Sequence, residues 1–254
     1  MKTFLIVGTQ RTGSSAVAEQ IGLHPEVTCG WESTNRVNPT KKLRVAEQVF
    51  RGDFHALNPK ERCYLETEHD GCKRAIGFRR LFRASDKWLC KPSFAPALWI
   101  DRLEAHISWL QRYQPETHII HIVRSDNLAW LQSMGLARAS GKYVGAAYPE
   151  DLTIRWPLPE AYRRVAAKHW IGRRLSTLNR SNPYIRISYE SFREKNHLEV
   201  GRVLAFLGLD PDLSRPRPTI RPQNRTRGTG RLANAAEVAD FLERQGLSRE
   251  TLGS

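Results

Sequence analysis

Phe4-Leu-Ile-Val-Gly-Thr-Gln-Arg-Thr-Gly-Ser-Ser15 is the stretch on which the fold turns. The apolar run from Phe4 to Val7 reads as a short buried strand, Gly8 to Gly13 as a tight turn, and Ala16 to Leu23 as the helix that follows. A strand that passes into a helix through such a turn builds an anion cradle. The glycines let the backbone close around an oxyanion, and the helix N-terminus offers N–H groups and a partial positive charge. Thr9, Thr12, Ser14 and Ser15 add hydroxyl donors and Arg11 adds a fixed charge. The spacing matches a nucleotide P-loop except that the lysine is missing, with Ser14 in its place. That absence argues against ATP chemistry of the usual kind and for another phosphorylated donor.

Outward from this turn, strand-like runs recur at 4–7, 74–78, 118–123 and 184–187, separated by helix-length segments. Helical patterns fit 42–50, 98–111, 127–139, 158–178, 199–207 and 235–245. Such alternation predicts βαβ units: an α/β fold in which helices flank a central parallel β-sheet, P-loop-like at its first turn. The stretches 140–158 and 210–231 read as loops. The second is rich in proline and arginine and has no acid from Arg215 to Arg231.

The length of 254 residues suits one domain over 1–254. Lys+Arg outnumber Asp+Glu by 40 to 26, a net charge of +14 that points to an anionic ligand and says nothing about fold. No apolar run approaches the ~20 residues of a membrane span or the core of a signal peptide, so a cytoplasmic protein is expected. Cys29, Cys63, Cys72 and Cys90 form no CxxC pair and the histidines show no HExxH spacing, so no metal is expected.

A second signal is Val123-Arg-Ser-Asp-Asn-Leu-Ala-Trp-Leu-Gln-Ser133. A strand ends at Arg124 and the next helix presents Ser133 about two turns on. In an open parallel sheet ligands bind at the carboxyl ends of the strands, which brings Arg124 beside the first turn as a clamp for a second phosphate.

With both segments in view, the chain resembles the PAPS-dependent sulfotransferases of bacterial and glycan type, whose donor is 3′-phosphoadenosine 5′-phosphosulfate. His24-Pro-Glu-Val-Thr-Cys-Gly-Trp-Glu32, Ala75-Ile-Gly-Phe-Arg79, Ile187-Ser-Tyr-Glu-Ser191 and Arg202-Val-Leu-Ala-Phe-Leu-Gly-Leu209 extend the likeness over most of the chain. The resemblance implies that Arg11, Thr12, Gly13, Ser14 and Ser15 hold the 5′-phosphosulfate and that Arg124 and Ser133 hold the 3′-phosphate. It implies Tyr189 near the adenine, and Arg225, Arg227 and Gly228 in a loop closing over the donor. Glu32 is the candidate base, with His24 as the second choice, and Arg11 the cation supporting the bridging oxygen. Arg79 is a candidate ligand for the sulfuryl oxygens or an anionic acceptor. The acceptor is expected to be a hydroxyl on a carbohydrate or glycolipid. Two other readings stay open on the residues alone: a P-loop-like kinase or NTPase without its lysine, and a polyanion or nucleic-acid binder built on the basic stretch. No RRM, KH or zinc-finger pattern supports the latter.

Overall fold

Phe4 and Ile6 pack on one face of the sheet while Leu5 and Val7 pack on the other, so the first strand is buried on both sides and reads as an unbroken apolar run. The computed structural model describes residues 1–30, 48, 50, 74–82, 97–142, 147–211 and 229–247. Its strands are β1 (Lys2–Thr9), β2 (Val27–Gly30), β3 (Ala75–Phe82), β4 (His118–Val123) and β5 (Tyr184–Ser188), in a parallel sheet of order β2-β3-β1-β4-β5. The helices are α1 (Ser14–Gly22), α2 (Ala97–Tyr113), α3 (Asn127–Ser140), α4 (Leu158–Ser176), α5 (Tyr189–Glu194), α6 (Asn196–Phe206) and α7 (Ala235–Arg244), with a 3-10 turn at Thr177–Arg180.

Ile171 and Leu175 of α4 and Leu103, Ile107 and Leu110 of α2 cover one sheet face, meeting Leu5, Val7, Ile76 and Ile119. Val17 and Ile21 of α1 and Val200, Val203 and Leu204 of α6 cover the other, over Phe4, Ile6, Ile120, Ile122 and Ile187. Trp130, Leu131, Trp156, Val165, Leu232, Val238 and Leu242 form a further cluster that joins α3, α4 and α7. The parallel α/β architecture expected from the sequence is therefore the one found.

The segments expected as helices and strands agree with these elements within a few residues. The helix expected over 158–178 ends instead at Ser176, where the chain tightens into the 3-10 turn. Of the helix expected at 42–50 only Gln48 and Phe50 are described, both helical. The loop expected at 140–158 is a loop where described, tied to the segment before α7 by the bridge between Ile154 and Leu232.

β1 lies between β3 and β4. The chain leaves β1 toward β2, returns through β3, then crosses to β4 on the far side, so the direction of winding reverses around β1. In a doubly wound sheet the crevice opens at the carboxyl ends of the strands around such a reversal. The turns that meet there are Gln10–Gly13 after β1 and Arg124–Asp126 after β4.

Candidate active site

The β1–α1 turn leads into a helix start without a side-chain cap. Gly13, the N-cap of α1, has φ 80°, and no side chain caps the helix; its first turn also carries no acid. Orphan N–H groups at a helix start need an acceptor, and among the described residues no capping side chain and no acid of the first turn supplies one. Arg11 adopts φ 64°, a left-handed conformation costly for a residue with a Cβ. The turn is held from within and without. Thr12 Oγ1 donates to Thr9 O at 2.8 Å, Trp130 Nε1 donates to Gln10 O at 2.7 Å, and Arg124 Nη1 donates to Arg11 O at 3.1 Å.

Arg124, at the end of β4, is 9% exposed. Its guanidinium lies 4.6 Å from the centre of the Tyr189 ring, and its Nε has no hydrogen-bond partner among the described residues. Burial lowers its pKa from the ordinary arginine value, although the nearby Tyr189, Asp126 and Glu190 pull the other way. A buried guanidinium with an unmet donor is costly, and an anion from solution would meet both needs. The Tyr189 ring also borders the turn: a Cβ on Gly13 would meet its Cδ2 at 2.3 Å.

Glu190 fixes the turn that carries Arg124. Its carboxylate accepts from the main-chain N–H of Ser125 at 3.3 Å and of Asp126 at 3.1 Å, and from Ser188 Oγ at 2.8 Å. Burial would raise its pKa, but the N–H groups of Asp126, Glu190 and Ser125 and the Ser188 hydroxyl outweigh it and hold the carboxyl below its usual value. Asp126 caps α3 by accepting from Ala129 N at 2.8 Å.

Two further arginines reach the turn. Arg79, 5% exposed on β3, donates through Nη1 to Ser15 Oγ. Arg11 turns its own guanidinium toward α3, where Nε donates to Ser133 Oγ at 3.0 Å and Nη2 to Tyr148 Oη at 2.7 Å. Thr12 and Gly13 lie in the β1–α1 turn and Ser14 and Ser15 open α1, and these contacts bring Arg79, Arg124, Ser133 and Tyr189, far apart in sequence, to Ser15, Arg11 and Gly13. Arg11 faces Ser133, and Arg79 is the cation on the hydroxyl of Ser15.

Beneath Trp130, Asn127 Oδ1 accepts from Lys168 Nζ at 2.7 Å and lies 3.2 Å from His169 Nε2, with Lys168 Nζ 5.7 Å from the Trp130 ring centre. This buried layer backs the indole that holds Gln10.

Glu32, Arg225, Arg227 and Gly228 lie outside the described residues. His24 is 1% exposed, and both its ring nitrogens are used. Nδ1 accepts from Glu26 N at 3.1 Å, so Nε2 carries the proton and donates to Asp210 O at 3.0 Å. It also follows the C-terminal end of α1, whose 9 residues separate it from the cradle by about 14 Å. His24 is therefore a structural residue at the opposite sheet edge, which removes the second candidate base. Tyr148, Trp130 and Glu190 were not foreseen as site residues. Glu190 lay in plain view beside Tyr189, whereas nothing in a loop tyrosine or an apolar-looking tryptophan signals a contact more than 100 residues away.

The family model described as the sulfotransferase family matches residues 4–212, most of the chain, including the β1–α1 turn, Arg79, Arg124, Ser133 and Tyr189. The chain belongs to the sulfotransferase family. As a sulfotransferase-family protein it is a transferase, and membership sets aside the kinase and polyanion-binder readings. No curated protein matches it. Among solved structures it is similar to a sulfotransferase from Alicyclobacillus acidocaldarius, with 15% identity, coverage of 98% of this chain and 96% of that one, and a TM-score of 0.45. It is also similar to the sulfotransferase domain of the Synechococcus PCC 7002 olefin synthase, with 13% identity, coverage of 96% and 94%, and a TM-score of 0.48. At these values the family assignment rests on the sequence match. Among the described residues no helix is long and apolar enough to cross a membrane, and no cluster of His, Cys, Asp and Glu could hold a metal ion.

Proposed function

We propose that this sulfotransferase moves the sulfuryl group of PAPS to an acceptor hydroxyl on a carbohydrate or glycolipid, acting as a single domain in the cytoplasm. What supports the reading is that two groups of donors gather at the β1–α1 turn: the uncapped start of α1 with Arg79 on Ser15, and the buried Arg124, which donates to Arg11 O and whose Nε is unmet among the described residues. Two phosphate groups some distance apart are what a 3′,5′-bisphosphorylated nucleotide offers and what a nucleoside triphosphate does not.

In this reading Thr12, Gly13, Ser14 and Ser15 hold the 5′-phosphosulfate, while Arg124 and Ser133 hold the 3′-phosphate. Arg11, which joins the two through its backbone and side chain, supports the charge that grows on the leaving phosphate. Tyr189 borders the adenine side, and Arg225, Arg227 and Gly228 close over the nucleotide. The donor supplies an activated sulfuryl group. Glu32 accepts the acceptor's hydroxyl proton while that oxygen bonds to sulfur and the bond from sulfur to the phosphate oxygen breaks. Arg79 spreads the charge on the sulfuryl oxygens or holds an anionic acceptor. No step calls for a metal.

Thermal denaturation with PAP, the product nucleotide, and separately with ATP and magnesium tests the donor. PAP at a hundredfold excess over its Kd stabilises a one-site protein by about 2.7 kcal/mol. A shift with PAP and little with ATP is expected, and equal shifts refute the donor assignment. Radiolabelled PAPS offered with panels of hydroxylated glycans and lipids tests the acceptor. With an acceptor so found, Glu32→Gln is expected to keep PAP affinity and lose turnover by about 100- to 10,000-fold.

A further inference from the structure

Tyr148 lies in the segment between α3 and α4, and its hydroxyl accepts a 2.7 Å hydrogen bond from Arg11 Nη2. The same guanidinium donates through Nε to Ser133 Oγ at 3.0 Å, so two oxygens fix its plane. Tyr148 is itself 4% exposed and packs against Leu136 and Ala137 on α3. The backbone beside it is pinned as well: buried Arg231 donates through Nη1 to Pro149 O at 2.9 Å, and its own N–H donates to Gln132 Oε1 at 2.9 Å. Ile154 N donates to Arg231 O at 2.9 Å and Ala233 N to Ile154 O at 2.8 Å, which closes the bridge to the segment before α7. The phenol is thus held by ring packing on one side and by a tied backbone on the other.

A long arginine side chain that begins from a left-handed residue has many directions open to it. We infer that Tyr148 is a positioning residue of the donor site, its hydroxyl setting the Arg11 guanidinium against Ser133 so that an arriving phosphate meets a cation already oriented. Preorganisation of this kind raises affinity by removing the ordering cost at binding. The inference rests on the donor reading above and assigns to a loop tyrosine a part in it that acts through Arg11.

Isothermal titration with PAP of the wild type, Tyr148→Phe, Arg11→Met and the double variant tests it, with urea midpoints measured on each. Phe keeps the ring against Leu136 and Ala137 and removes only the hydroxyl. Tyr148→Phe is expected to bind PAP about tenfold more weakly at an unchanged urea midpoint. In the Arg11→Met background the same change is expected to cost nothing further, because the hydroxyl acts through the guanidinium. Wild-type affinity in Tyr148→Phe, or losses that multiply in the double variant, would overturn the inference, and multiplied losses with a lowered midpoint would mark Tyr148 as a packing residue. Thermal shifts with pyrophosphate on the same four proteins separate the two levels. Wild type responding to pyrophosphate and not to PAP would end the donor reading while the Tyr148 comparison proceeds on pyrophosphate. A response to neither leaves no anion for Arg11 to meet and ends both.

Discussion

Gly13 shows how one atom can decide a site. Its φ of 80° already disfavours any L side chain, and an added Cβ would lie 2.3 Å from a ring carbon of Tyr189. Gly13→Ala is therefore expected to displace Tyr189 from its stack on Arg124 or to distort the turn. Either outcome weakens PAP binding by at least an order of magnitude and costs about 1–3 kcal/mol of stability, read by calorimetry and urea unfolding. Unchanged PAP affinity in Gly13→Ala would mean that the turn is not the anion cradle. Arg124→Ala makes the complementary case. It removes a charge-assisted contact worth about 1.5–3 kcal/mol, so PAP affinity is expected to fall by roughly ten- to a hundredfold with the fold retained. A variant that bound PAP like wild type would exclude Arg124 from the 3′-phosphate subsite.

At the scale of elements, the site depends on how β4 hands over to α3. Glu190 accepts two main-chain N–H groups there and a hydroxyl from Ser188. An amide oxygen can replace only part of that set, and the amide NH2 cannot accept at all. Glu190→Gln is expected to cost about 1–2 kcal/mol in urea unfolding and to weaken PAP binding, although Glu190 touches no ligand in this reading. Loss of stability with full PAP affinity would show that Arg124 needs no such anchor. The same junction explains what the sequence could and could not say. Strand, turn and helix around Arg124 were legible because apolar runs and their punctuation are local signals. The carboxyl-edge rule then placed Arg124 beside the first turn. The direction of the Arg11 side chain was not legible, since it follows from a left-handed backbone and from partners at 133 and 148 that no local pattern links to position 11. His24 misled for a related reason: its neighbourhood in sequence is close to the cradle, but α1 carries it to the other edge of the sheet.

At the scale of the whole molecule the chain carries +14 and still buries ionisable side chains on α4 and β4. His121, 1% exposed between Ile120 and Ile122, shares a 2.6 Å hydrogen bond through Nδ1 with the Tyr184 hydroxyl. Burial first, and then the charge of Arg186, push its pKa down to about 3. Burial together with Lys168 and Arg173 lowers that of His169 to about 4. Both histidines are thus neutral in the folded protein near pH 7, and in the unfolded chain they titrate near the usual value of about 6.5. Below that pH the unfolded state binds protons that the folded state refuses, so stability is full above about 6.5 and falls as the pH drops toward the folded values. The slope for His121 reaches at most about 1.4 kcal/mol per pH unit, and His169 adds in the same direction. The urea midpoint is expected to be clearly lower at pH 5.5 than at pH 7.5. His121→Asn, which retains a polar atom near the position of Nδ1 but cannot titrate, is expected to flatten that dependence even if it lowers stability at every pH. A midpoint independent of pH over this range in the wild type would show that the buried histidines do not govern the acid limit of the fold, and an equally steep fall in His121→Asn would remove His121 from that role.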